Sequence, residues 1–211
     1  AKGADANVQS RYDYLPIHWA ALVGSYDCLN ILLKFNFLES RDKMGNTPLH
    51  LAAANGHATC VRLLLEKGAN LTSRNSVGET PLHVSAFNGH FHCMLLLLVE
   101  SSDPESNTNI KDNHGKTALH KCVENCNVSP SASGSNASYE CAEKLLDLGK
   151  ADANACDNSS VTALHIAVRK GVRPLVKLLL NHNVNMDAQN NDGDTALHIA
   201  AVQGHMQIVE D

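Results

Sequence analysis

The sequence predicts an all-helical solenoid, a linear stack of short helix pairs, and three observations predict it. The phrase Thr47-Pro48-Leu49-His50 returns as Thr80-Pro81-Leu82-His83, Thr117-Ala118-Leu119-His120, Thr162-Ala163-Leu164-His165 and Thr195-Ala196-Leu197-His198, with a worn copy, Leu15-Pro16-Ile17-His18, upstream. The six histidines lie 32, 33, 37, 45 and 33 residues apart, a period near 33 with insertions. Glycines and a leucine-rich block recur at fixed offsets from each phrase, as in Gly56, Leu63-Leu64-Leu65 and Gly68. Recurrence at this length marks supersecondary units that cannot bury an apolar face alone and so must stack.

Each element of a unit follows from its residues. Asp42 and Gly45 suit a tight turn, because aspartate bonds its own backbone and glycine tolerates positive φ. Thr47 is a favourable helix cap, and Pro48 fits the first helical position, where no N–H is needed. Ala52 and Ala53 keep the first helix thin, and Gly56 closes it in the left-handed conformation. Cys60, Val61 and the three leucines form the apolar side of a second helix, which Gly68 ends. Each unit therefore reads as turn, short helix, turn, second helix and loop.

That unit resembles the ankyrin repeat, whose signature is Thr-Pro-Leu-His-x-Ala at a 33-residue period. The resemblance covers nearly the whole of residues 1–211 as a single domain. Units are expected at about 13–41, 42–74, 75–111, 112–156 and 157–189. Residues 1–12 read as the exit loop of a preceding repeat, since Lys2-Gly3-Ala4-Asp5-Ala6-Asn7 matches Lys67-Gly68-Ala69-Asn70, and 190–211 as a truncated sixth. An internal slice of a longer array, or of a larger protein, is the expected origin. By resemblance, the signature histidine ties its turn to neighbouring backbone.

The remaining composition narrows the function. Net charge is −5 and the basic residues are scattered, which argues against a nucleic-acid partner. No run approaches the ~20 apolar residues of a membrane-spanning helix, so no direct insertion is expected. Cys28, Cys60, Cys93 and Cys141 share one repeat position, at the start of the second helix. Neighbouring helices stack about 8–10 Å apart, too far for disulfides, which need Cα atoms within about 7 Å. These thiols are expected to be buried and free, in a cytoplasmic or nuclear setting. His120, Cys122 and Cys126, with His114, form the sharpest metal alternative, but no complementary pair has suitable spacing. No phosphate loop, nucleophile elbow or His-Glu-x-x-His occurs. The chain is thus read as a non-enzyme, without metal or other cofactor.

Departures from the pattern carry the rest. The fourth unit holds an insertion at 127–138, rich in serine, in which Ser129-Pro130 is a candidate regulatory phosphosite. The third has four extra residues near Ser101-Ser102-Asp103-Pro104, expected in a loop, and the first lacks the turn glycine and cap threonine. By resemblance, a protein partner binds the concave face made of finger turns and first helices. Positions there without packing duty are Tyr12, Tyr14, Met44 and Asn46, then Phe87 and Asn88, then Lys116, Arg169 and Lys170. Trp19 is expected to be semi-buried scaffold. The resemblance implies a protein-interaction scaffold, monomeric or part of a larger chain. The alternative is the ankyrin region of an enzyme, ubiquitin-ligase receptor or channel, recruiting substrate or mediating assembly.

Overall fold

A computed structural model describes residues 5–11, 13–126 and 137–211. The first unit contributes α1 (Pro16–Val23) and α2 (Tyr26–Leu32), the latter followed by a 3-10 turn over Leu33–Phe35. The second has α3 (Pro48–Ala54) and α4 (Ala58–Glu66); the third has α5 (Pro81–Phe87), α6 (Phe91–Val99) and an added α7 (Pro104–Thr108). The fourth has α8 (Ala118–Glu124) and α9 (Ala137–Asp147), the fifth α10 (Ala163–Arg169) and α11 (Arg173–Leu180), the sixth α12 (Ala196–Gln203) and α13 (Met206–Glu210). Helices this short are marginal alone, since isolated helices need roughly 12–15 residues even with favourable sequences. Stacking supplies what propensity cannot. Helix α1 packs on α3, α3 on α5, α5 on α8, α8 on α10 and α10 on α12, while the second helices stack beside them. One apolar cluster runs through every unit, from Leu15 and Ile17 to Ile199 and Ala200.

The signature is a capping device that also joins units. His50 sits at the third position of α3, where its Nδ1 accepts the Thr47 backbone N–H at 3.2 Å. Its Nε2 lies 3.0 Å from the Glu79 carbonyl of the next unit. A backbone N–H can only donate and a carbonyl can only accept, so the ring is neutral with its proton on Nε2. His83 joins Thr80 to Lys116, His120 joins Thr117 to Val161, and His165 joins Thr162 to Asp194 in the same way. His18 does so from Leu15 to Ser40.

The finger turns form a second line of junctions. Asp42 N–H bonds the Asn46 carbonyl at 3.0 Å and Gly45 N–H the Asp42 carbonyl at 2.9 Å. Main-chain bonds then link the tips: Ser76 N–H to the Met44 carbonyl, Asn113 to Val77, Asn158 to His114 and Asn191 to Ser159. At Gly78 both demands meet, for φ is +82° and a Cβ would lie 2.7 Å from the Asn113 backbone nitrogen. Gly193 has φ +83° but nothing within 4 Å. Gly78→Ala should therefore cost clearly more stability in urea unfolding than Gly193→Ala, which carries only the left-handed strain of about 1 kcal/mol. Equal losses would mean that the tip junction is not tight.

Four expectations need correction. The extra residues of the third unit are not all loop: Asp103 caps α7 by accepting Ser106 N–H at 3.1 Å, and Pro104 occupies its first position. Ala137 and Ser138 of the expected insertion are helical, in α9; residues 127–136, with Ser129, lie outside the described residues. The first finger keeps the common geometry despite its altered residues, because Asp13 takes φ +58° where four other fingers have glycine and the fifth has Ser160 at φ +59°. Trp19 and Cys28, expected among packed residues, are both exposed, at the head of the stack.

Candidate partner-binding surface

The finger turns and first helices hold nearly all of the candidate residues; Tyr12 lies outside the described ones. Met44 stands at the second finger tip, 58% exposed, and serves the scaffold through its backbone alone, its N–H donating to Asp42 Oδ1 and its carbonyl accepting the Ser76 N–H. Phe87 ends α5 and is 40% exposed, its carbonyl accepting from the Asn125 side chain at 2.6 Å. Asn88 is exposed, its amide donating to the Val84 carbonyl at 2.8 Å to finish the helix. Tyr14 is half-buried, its ring edge-on to Trp19 with centroids 5.2 Å apart. Burial first, then the charge of Asp42 and a hydrogen bond to it, raises the Tyr14 pKa.

Two candidates prove to be tied into the scaffold. Asn46 donates to Asp42 Oδ2 of its own finger at 3.1 Å and accepts from the Asn75 amide of the next finger at 3.1 Å, so both ends of its side chain are held. Lys116 forms an ion pair with Glu124 on the same face. Arg169 and Lys170, at the end of α10, are exposed, and neither has an ion-pair partner among the described residues. A polar cleft of about 380 Å³ brings Arg169 together with Lys116, Glu124, Asp157 and Asp192. The candidates thus divide into an apolar pair, Met44 and Phe87, and a polar cleft two units further along.

Sequence reasoning passed over Lys121. It follows the signature His120, where other units have Leu51, Val84, Ile166 and Ile199. Its ammonium lies 2.8 Å from Glu79 and 2.9 Å from Asp112, both reaching across from the finger side. Partial burial pulls the Lys121 pKa down, but these two partners outweigh it and leave it raised; the same contacts, with backbone N–H groups, hold Asp112 lowered against its own burial. The signal was legible: a lysine at an otherwise apolar repeat position.

The metal alternative meets a different chemistry. Cys122 is buried and its thiol donates to the Ser138 carbonyl at 2.9 Å. A hydrogen bond with Cys141, together with complete burial, pushes its pKa well above the ordinary thiol value. A metal ligand must be a thiolate, which this setting disfavours. Among the described residues, no group of three or more His, Cys, Asp or Glu is arranged to hold a metal ion, and no helix is long and apolar enough to cross a membrane.

The repeated finger, capped helix and reaching histidine define a class of stacked-repeat protein, and comparison with known proteins identifies it. The ankyrin-repeat family profile matches residues 1–75, 70–129 and 131–210, and the chain belongs to the ankyrin-repeat family. It is similar to transient receptor potential cation channel subfamily A member 1 of Homo sapiens, 34% identical over 91% of this chain and 17% of that protein. The putative ankyrin repeat protein FPV031 of Fowlpox virus is 34% identical over 88% of this chain and 43% of its own length. Ankyrin repeat and SOCS box protein 16 of Homo sapiens is 32% identical over 98% and 43%. Among solved structures, the ankyrin repeat domain of Bcl-3, described as a unique member of the IkappaB protein family, matches with a TM-score of 0.80 at 26% identity, covering 99% of this chain and 87% of that one. The chain therefore spans less than half the length of these curated relatives.

Proposed function

We propose that this chain is a protein-interaction module that performs no catalysis and binds a protein partner on the concave face formed by its fingers and first helices. One observation carries the reading: Met44 and Phe87, in successive units, expose large apolar side chains that the scaffold does not use. Apolar and aromatic anchors of this kind dominate interface energetics, and truncating one typically costs about 2 kcal/mol or more. Arg169 and Lys170 extend the strip with unpaired positive charge, which suits an acidic segment of the partner. Buried thiols such as Cys60 and Cys93, which form no disulfide, favour a cytoplasmic or nuclear setting. Relatives that are a cation channel and SOCS-box proteins favour a place for the module inside a longer polypeptide, where it recruits a substrate or mediates assembly.

The test is affinity capture from cells with wild-type chain and two variants. Phe87→Ala is expected to lose the partner at every salt concentration, by roughly tenfold or more in affinity. The charge reversal Arg169→Glu with Lys170→Glu should slow association mainly at low salt, where steering is strongest. Melting temperatures of both variants should stay near wild type, since these side chains are exposed. A partner that binds both variants normally would remove the concave-face reading.

A further inference from the structure

One position of the repeat carries three different chemistries along the concave strip. Phe87, Glu124 and Arg169 occupy it in the third, fourth and fifth units, each at the end of its first helix. Phe87 is apolar and exposed. Glu124 is part-exposed, and its carboxylate is taken by the Lys116 ammonium. Arg169 is exposed, with Lys170 beside it, and neither has an ion-pair partner among the described residues. The strip thus runs from apolar through neutralised to cationic.

The fourth unit owes its neutrality to two lysines. Lys116 holds Glu124, while Lys121 holds Glu79 at 2.8 Å and Asp112 at 2.9 Å. Charge around Arg169 is sorted as well. Asp157 turns one oxygen to its own finger, accepting the Ser159 and Val161 N–H groups at 2.8 and 2.9 Å. Asp192 stands in the sixth finger, so the cleft is negative on its finger side and positive on its helix side, at Arg169. The spacing follows from the stack, since α5 packs on α8 and α8 on α10. Packed helices lie about 8–10 Å apart, so two steps separate Phe87 from Arg169 by roughly 16–20 Å. An extended chain advances about 3.3 Å per residue and covers that distance in about five or six residues.

We propose that the partner's contact segment is an extended peptide, with an apolar side chain on Phe87 and a carboxylate on Arg169 and Lys170, about five or six residues apart. The residues between them are uncharged, because they cross the neutralised unit. Lys116 acts as a positioning residue: it masks the Glu124 carboxylate, which would otherwise repel the acidic end of the segment. A helical segment rises only about 1.5 Å per residue and would need its two anchors about eleven to thirteen residues apart. The inference rests on the concave-face reading of the function and adds the chemistry and spacing of what binds there.

Selection of phage-displayed random peptides of about sixteen residues, long enough for either spacing, tests it on this chain. Selected peptides should share a large apolar residue and an Asp or Glu about five or six positions apart. Phe87→Ala should weaken synthetic copies about tenfold or more. Selection on the Arg169→Glu, Lys170→Glu variant should replace the acid by Lys or Arg at unchanged spacing. Lys116→Met should weaken the wild-type peptides roughly fivefold at low salt, and adding Glu124→Gln should restore them. Backbone atoms of Lys116, not its ammonium, carry the junction to His83, so both variants should melt near wild type. Peptides that need Phe87 and Arg169 but show no fixed spacing, a helical spacing or no acid overturn the inference and leave the concave-face reading standing. So does a selection that enriches no sequence, or a Lys116→Met variant that binds normally or is not rescued. Peptides indifferent to Phe87, Met44 and Arg169 overturn both.

Discussion

Acidification from pH 7.5 to pH 5 should destabilise this protein well before its carboxylates titrate. Five signature histidines (His18, His50, His83, His120 and His165) have lowered pKa values, burial being the largest cause in each, and His83 is lowered to about 4. The neutral ring is also the only form that fits, since protonated Nδ1 cannot accept the cap N–H. In the unfolded chain a histidine titrates near 6.5. Between that value and about 4 the unfolded state binds the extra proton, so stability rises with pH across this window and is lost as pH falls through it. It is fully present above 6.5. For His83 alone the complete shift is worth about 3 kcal/mol, and the other four act in the same direction. Asp112, whose folded pKa is lowered, contributes mainly below its ordinary value near 4 and leaves the window to histidine. Urea midpoints measured at pH 7.5, 6.5, 6 and 5 should fall with a slope of more than one proton per molecule. A flat profile would show that the rings are not held neutral.

Replacing His83 by alanine should cost about 3 kcal/mol, whereas the same change at His198 should cost below about 1 kcal/mol. His83 is fully buried and joins the Thr80 N–H to the Lys116 carbonyl across the unit boundary. Its removal strands that N–H away from water, at about 1–3 kcal/mol, and leaves a cavity between α5 and the next finger. His198 has the same sequence context, but its ring is exposed and only its local bonds to Thr195 are lost. Urea unfolding of both variants at pH 7.5 gives the comparison. Equal losses would mean that the histidine acts within its own unit and not between units.

The contrast between these two histidines explains what could be read from the sequence. A repeated phrase specifies local geometry, so the Thr caps, the Pro-started helices and the left-handed glycines were legible residue by residue. Burial belongs to position in the stack. The text around Leu197 and His198 is nearly that around Leu164 and His165, yet one pair is exposed and the other sealed. Trp19 and Cys28 are exposed for this reason, since a place in the repeat does not say what lies over it. Helix α7 forms within residues that the repeat pattern leaves as an insertion, and its signal is local: Asp103-Pro104 is a helix start. On the candidate surface, sequence identified which positions packing leaves free, but not what else they bind. Asn46 and Lys116 lost their apparent freedom to Asn75 and Glu124, residues 29 and 8 positions away. Lys121 acquires its role only when Glu79 of the preceding unit comes within 2.8 Å.

The most direct test of the central claim, that a partner protein binds the strip of fingers and first helices, is site-specific photo-crosslinking in cells. A photoreactive residue would be placed at Phe87, at Met44, or at the exposed Arg62 on α4. One discrete crosslinked partner is expected from positions 87 and 44, and none from position 62. A partner captured from position 62 but from neither of the others would contradict it.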